Sequence, residues 1–203
     1  MTSPYINTIL ETNITINPNQ MDNSIYKNIK ENLIKKLEKR CYKDYGYISK
    51  IYEINKMSNS LINPDIPKAS STVNVTFSCR LCNPLKRKQL ICKIEKINHM
   101  LINAQNGPIT VIITTGSLDS NIFYQDIKEN KLMGKCDGKN IEITQGTFVK
   151  VTILSKTFNN KDNVILTTGS LDEIVTDDNE IQKLYSDEFN YNDNYIKISE
   201  YKE

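Results

Sequence analysis

The chain has 203 residues, 38% hydrophobic and 25% charged, with a formal net charge of +2. These values lead one to expect a folded chain rather than a disordered one and leave room for one large domain or two small ones, each with a modest core. There is no run of 18 apolar residues, Met1 to Leu10 lacks a basic segment leading into an apolar stretch, and the five cysteines (Cys41, Cys79, Cys82, Cys92, Cys136) are scattered and odd in number, so neither a membrane span, nor a secretory signal, nor a disulfide scaffold is expected.

Tyr5 to Ile16 reads as a strand that Asn17-Pro18-Asn19 breaks, because proline cannot continue a hydrogen-bonded ladder. Asp22 to Arg40 reads as a helix, capped by Asp22 or Asn23. Ile25, Ile29, Leu33 and Leu37 recur every four residues as its apolar stripe, and Cys41 extends the row. Lys27, Lys30, Lys35, Lys36, Lys39 and Arg40 occupy its other faces, the last three where they favour the helix dipole. A second strand opens at Tyr45-Gly46-Tyr47-Ile48 and reaches Ile54, a loop follows over Met57 to Lys68, and Thr72 to Leu81 alternates apolar and polar residues as a third strand. Strand, helix, strand, strand makes a small α+β unit of residues 1–82.

Asn83-Pro84 marks a boundary, beyond which the pattern is almost entirely β. Lys88–Ile97, His99–Gln105 and Pro108–Thr114 are three short strands, the last two joined at Asn106-Gly107. Gly116 to Asp126 is expected to hold a short helix, and 128–140 a charged excursion. Thr147–Thr157 and Asp162–Thr168 form a hairpin around Asn159-Asn160. Five strands with an insertion between the third and fourth fit an all-β OB/S1-like barrel over 83–175. The string Thr-Thr-Gly-Ser-Leu-Asp occurs at 114–119 and 167–172, and both copies read as strand exits. Residues 1–171 hold 23 Lys/Arg against 14 Asp/Glu, whereas 172–203 hold 3 against 10. A basic body with an acidic tail (176–203) fits a neighbour of nucleic acid. A helical turn is expected near Glu180–Tyr185.

Cys79-Arg80-Leu81-Cys82, with Cys92 and His99, is the one metal-like cluster. On a strand, residues three apart point to opposite faces, so the two thiols of this pair do not converge as zinc requires. Buried free thiols are expected, with no metal and no cofactor. A Cys–His nucleophile would need His99, and no glycine-rich elbow or orienting group accompanies it. The sharpest cationic cluster is Lys86-Arg87-Lys88, with Lys93 and Lys96 on the strand behind it, and these five form the candidate RNA-binding set. The barrel region offers mainly Phe123, Tyr124, Phe148 and Phe158 for stacking, so binding is expected to be electrostatic, weak and independent of sequence.

In this order of elements the chain resembles the stalk subunit of DNA-directed RNA polymerases. That family comprises the seventh subunit of the eukaryotic enzyme, its archaeal counterpart and a shorter poxvirus one. The resemblance covers roughly residues 4–175. Thr12-Asn13-Ile14-Thr15-Ile16-Asn17-Pro18 is similar to the family's first strand and turn, and Asp44-Tyr45-Gly46-Tyr47-Ile48 to its Gly-aromatic strand. Val73-Asn74-Val75-Thr76-Phe77 with Cys82-Asn83-Pro84-Leu85-Lys86-Arg87-Lys88 is similar to the strand and hinge joining two domains, and Asn106-Gly107-Pro108-Ile109-Thr110-Val111 to the barrel's Gly-Pro turn. The sequence departs from the cellular pattern at Lys88-Gln89-Leu90 and Asn98-His99. With its Asn, Ile and Lys bias it fits a member from a large DNA virus.

The resemblance implies a non-catalytic subunit, without catalytic residues, whose first domain wedges against the polymerase core. The docking tip would be Asn17, Pro18, Asp44, Tyr45, Gly46 and Tyr47. Implied partners are the largest subunit and the clamp region, with nascent single-stranded RNA and a second stalk subunit as further candidates, and no membrane. A viral member would work in the virion and host cytoplasm, a cellular one in the nucleus. Two alternatives stand beside it: a free-standing OB/S1-type RNA-binding protein of translation or RNA decay, which would not need the first 80 residues, and a hydrolytic or redox enzyme using the cysteines.

Overall fold

The computed structural model describes residues 3–58, 61–62, 70–98, 100–119, 122–126, 131–136 and 139–181. His99, most of the expected loop before Lys68, and the tail beyond residue 181 lie outside them. No helix among the described residues is long and apolar enough to cross a membrane.

The N-terminal lobe is a curled sheet backed by one helix. Strand β1 (Tyr5–Ile16) pairs antiparallel with β5 (Ser71–Cys82) over its whole length. On the other side of β5 run β3 (Gly46–Met57) and the two-residue β4 (Leu61–Ile62), and β2 (Arg40–Tyr42) pairs with β3. Between β1 and β2 the chain makes a 3-10 turn at Pro18–Gln20 and helix α1 (Ile25–Leu37). The helix lays Ile29, Leu33 and Leu37 on Ile14, Ile16, Val73, Val75, Phe77 and Ile48. Each large side chain so buried contributes about 1.5–3 kcal/mol of transfer free energy.

The helix is shorter than Asp22 to Arg40. Ser24 precedes its first residue, while Asp22 Oδ1 accepts from the Ser24 N–H (2.9 Å) and Asn28 Nδ2 (3.1 Å) without reaching the first-turn amides. At the other end Glu38 turns extended and Lys39 takes φ +61, which brings the Lys39 N–H onto the Ile48 carbonyl at 2.8 Å. Pairing to β3 therefore captures Arg40–Tyr42 as a strand. Of the apolar row, Ile25 is exposed, and Cys41, although buried, belongs to the other lobe's core.

The second lobe is a closed barrel of β6 (Gln89–Ile97), β7 (Leu101–Asn106), β8 (Ile109–Thr114), β12 (Phe148–Thr157) and β13 (Ile165–Val175). Pairing runs β6-β7-β8-β13-β12 and back to β6. It is antiparallel throughout except between β8 and β13, the strand order of an OB barrel. Alternate residues point inward: Cys92 and Ile94, Ile102 and Ala104, Ile109, Val111 and Ile113, Val149, Val151 and Ile153. Between the third and fourth barrel strands lies a three-stranded meander, β9 (Phe123–Asp126), β10 (Lys131–Cys136) and β11 (Lys139–Glu142), in the order β11-β10-β9. Phe123, Leu132 and Ile143 of this segment join the barrel core.

Two local expectations fail here. The helix over Gly116 to Asp126 is a 3-10 turn at Thr115–Ser117 followed by β9, because Phe123 is drawn into the core as part of a strand. Only the first copy of the repeated hexapeptide leaves a strand. The second lies inside β13, where Gly169 faces Ile153 and a side chain would come within 2.5 Å of Val151 Cγ1 and 3.0 Å of Val111 Cγ1. A short helix, α2 (Asp178–Ile181), follows β13, near the expected turn at Glu180–Tyr185.

The lobes meet on one rung of the first sheet. Tyr5, Cys82, Tyr47 and Cys41 lie side by side across β1, β5, β3 and β2. Cys41 and Cys82 are buried in the barrel's core, with Tyr5 and Tyr47 packed against it. The β12–β13 turn completes the joint: Cys41 N–H donates to the Asp162 carbonyl (2.7 Å), Lys161 N–H to the Cys41 carbonyl (2.8 Å) and Lys43 N–H to Asn160 Oδ1 (3.2 Å).

Candidate functional site

The hinge between the lobes carries the cationic cluster. Asn83 N–H donates to the Pro4 carbonyl (2.8 Å), and the chain then runs alongside β12, with Arg87 N–H on the Ile153 carbonyl (2.7 Å) and Ile153 N–H on the Lys88 carbonyl (3.0 Å). Arg87 sits at φ +60, a left-handed conformation that costs a non-glycine residue about 1–2 kcal/mol, and so turns the hinge toward β6. Lys86, Arg87 and Lys88 are exposed. The same loop lies against Lys156 of β12, whose Nζ donates to Asn83 Oδ1. Burial, and then the charge of Lys86, hold the Lys156 ammonium below the usual lysine range.

The structure divides the rest of the predicted RNA-binding set from this cluster. Lys93 and Lys96 point outward along β6, opposite Gln105 and Asn103 of β7. Eight residues separate Lys88 from Lys96, about 26 Å of strand, so Lys96 sits at the far end of the barrel. The aromatic residues do not form a stacking platform: Phe123 is buried, Phe158 packs on the core, Phe148 is half-buried, and Tyr124 is exposed on the insertion. In OB domains the face of strands two and three and the turn between strands four and five commonly carry oligonucleotides. Here that turn is occupied by Cys41 and Lys43 of the first lobe.

The predicted docking residues likewise separate into two places. Asn17 and Pro18 follow β1 at the end of the sheet where Ile16 pairs with Ser71. Asp44, Tyr45, Gly46 and Tyr47 lie at the opposite end, where Tyr47 pairs with Cys82. Twelve residues of β1 lie between these ends along the strand. Gly46 is needed where it stands: its φ is +135, and a side chain there would run into the Cys82 carbonyl. Tyr47 is half-buried against the barrel, and its phenol is pushed up first by burial, then by Cys41, Cys82 and Glu38.

Between β1 and the Lys43–Tyr45 turn runs an open groove of about 950 Å³, lined in part by Ile6, Leu10, Tyr42, Tyr45, Asn83 and Lys36. It is the seam of the curled sheet. Along the C-terminal half of β1 the free carbonyls are taken by side chains: Glu11 by the Tyr42 hydroxyl (3.0 Å), Asn13 by Lys36 Nζ (2.6 Å) and Thr15 by Asn32 Nδ2 (3.3 Å).

The four described cysteine side chains, Cys41, Cys79, Cys82 and Cys92, lie in apolar packing. Cys79 is buried in the core of the first lobe, while Cys82 and Cys92 belong to that of the barrel, so the Cys79–Cys82 pair does point to opposite faces. Burial pushes the Cys79 thiol up to about 12. Burial and then Asp162 push that of Cys41 up to about 11. Such thiols are poor nucleophiles near neutral pH.

A helix-backed sheet joined through a basic hinge to a barrel of OB strand order defines a two-lobed class of OB-bearing proteins. Comparison with known proteins specifies the class further. The chain is 28% identical over 176 residues to an RNA polymerase subunit of Acanthamoeba polyphaga mimivirus, a match spanning 87% of this chain and 86% of that protein. It is 21% identical over 121 residues to DNA-directed RNA polymerase II subunit RPB7 of Glycine max, and 22% identical over 121 residues to subunit 7 of the Arabidopsis thaliana enzyme, covering 60% of this chain and 68% of each. No family model matches the sequence. The chain is thus similar in sequence to RNA polymerase subunits, RPB7 among them, the resemblance that its motifs carry.

Proposed function

We propose that the protein is a non-catalytic stalk subunit of a multi-subunit DNA-directed RNA polymerase, in a large DNA virus, and that it acts in the virion and host cytoplasm. The observation that carries this reading is the similarity to the mimivirus subunit across both lobes and the hinge. The first lobe docks on the core near the clamp and contacts the largest subunit. With the Gly46–Tyr47 end of its sheet packed on the barrel, the Asn17–Pro18 end is the part that faces the core. A wedge seated there favours one clamp position if it fits that position better than another. The barrel then stands beside the emerging transcript, and Lys86, Arg87 and Lys88 meet its phosphates. Lys93 and Lys96 offer a second, separate contact further along β6. A second stalk subunit is a further partner of this assembly.

Affinity purification of the tagged protein from its native source tests the reading. Recovery of the large polymerase subunits in stoichiometric amounts is expected, and Pro18→Ala with Asn17→Ala should reduce it. Clean recovery of the protein alone ends the proposal.

A further inference from the structure

The hinge triplet is local in sequence, but the structure brings it a cation from the second half of the chain. The backbone bonds between Arg87, Lys88 and Ile153 hold the hinge against β12, and Lys156 reaches it through Asn83. Lys86 is close enough to disfavour the charge of Lys156. Among the described residues, Lys86, Arg87, Lys88 and Lys156 have no carboxylate within ion-pair distance.

The same strand shows the usual arrangement six residues earlier: Lys150 Nζ lies 3.3 Å from Glu173 Oε2, and Asp172 on the neighbouring strand takes the Thr152 hydroxyl and Gln89 Nε2. A carboxylate thus pairs with Lys150 on this strand, whereas among the described residues none lies within ion-pair distance of Lys156. Like charges held together without a counter-charge are unfavourable until an anion comes between them. Exposed Leu85 adds an apolar surface beside the cations, against which a base can rest.

We propose that Lys156 completes a phosphate-binding site at the hinge, where Lys86 and Lys156 share one phosphodiester of single-stranded RNA and Arg87 and Lys88 take its neighbours. The inference rests on the reading of the barrel as lying beside a transcript, and it locates the RNA contact at the joint between the lobes, on the border of β12. A polyanion fits the charge of this border, because four cations are spread along a loop and a strand, with exposed Leu85 and Leu154 beside them.

Binding of the full chain to a fluorescein-labelled oligouridylate, followed by anisotropy between 50 and 200 mM salt, tests it. Lys156→Gln should weaken binding about three- to tenfold at low salt and flatten the slope of log K against log salt by about 0.7, the loss of one phosphate contact on a single strand. Lys156→Arg should bind as the parent does. If the triple change of Lys86, Arg87 and Lys88 to Glu weakens binding while Lys156→Gln changes neither affinity nor slope, Lys156 is outside the site and the transcript reading survives. If the parent chain shows no salt-dependent RNA binding, both fall. Equal binding of polyglutamate would overturn RNA as the ligand. A readout independent of any variant is the titration of carbon-13 dimethylated Lys156 by NMR. RNA should raise its pKa, which a purely structural hydrogen bond to Asn83 would not do, and an unchanged titration overturns the proposal.

Discussion

The two lobes close their sheets by different means. The barrel is closed by backbone pairing all round, from β6 to β12, so its shape depends on what fits inside it. The first sheet curls but leaves β1 and β2 unpaired with each other. Its seam is held by Tyr42, Lys36 and Asn32 reaching the carbonyls of β1. Backbone closure tolerates change on the outside and fails when a small interior residue grows. Closure by side chains yields to single deletions and leaves an edge strand only partly blocked.

The strongest test of that contrast is Gly169→Val. Its added atoms would meet Val151 and Val111, two interior residues of the closed barrel. A loss of about 3 kcal/mol or more in urea unfolding is expected. A loss under about 1 kcal/mol would mean that the barrel relaxes around the residue, and the distinction between the lobes would weaken.

A smaller effect is expected from pH. The thiols of Cys79 and Cys41 ionise near 9 in the unfolded chain, but at about 12 and about 11 in the fold. Their contribution is complete below pH 9 and is lost as the pH climbs toward 11 and 12, since the unfolded chain sheds protons first. Tyr47, also raised, adds to the same trend above pH 10. Stability should be lower at about pH 10.5 than at about pH 8, and Cys79→Ala should flatten part of that fall. A slope unaffected by Cys79→Ala would show that its thiol is not held in a dry core.

The smallest effect separates seam from barrel wall. Tyr42→Phe removes the hydroxyl donor to Glu11 and should cost about 0.5–1.5 kcal/mol, with faster amide exchange along β1. Ser155→Ala removes an exterior bond to Thr168 on the barrel and should stay within about 0.5 kcal/mol. Equal costs would mean that both lobes rely on backbone pairing alone.

Much of the fold was legible because strands write themselves into period-two patterns. Tyr5–Ile16 and the strand from Thr72 to Leu81 fall where the alternation puts them, and the five barrel strands appear in order with the insertion in place. Errors arose where tertiary pairing overrode local pattern. Cys41 continues the helical four-residue spacing, yet β3 takes it as a strand and the barrel buries it. The second Thr-Thr-Gly-Ser-Leu-Asp carries turn residues, but β12 and β8 hold it as a strand. The candidate site was legible only in part. Lys86-Arg87-Lys88 stands out as a run, whereas nothing in the neighbourhood of Lys156 marks it.

By itself the sequence indicated two successive units, a change of pattern at Asn83-Pro84 and a resemblance to a family, since periodicity and turn chemistry act over a few residues. Only the tertiary structure decided that Asn17–Pro18 and Asp44–Tyr47 lie at opposite ends of one sheet, that the β12–β13 turn is spent on joining the lobes, and that Lys156 meets the hinge. Those are matters of register and strand order, fixed by pairing between segments far apart in the chain, and no local pattern encodes them.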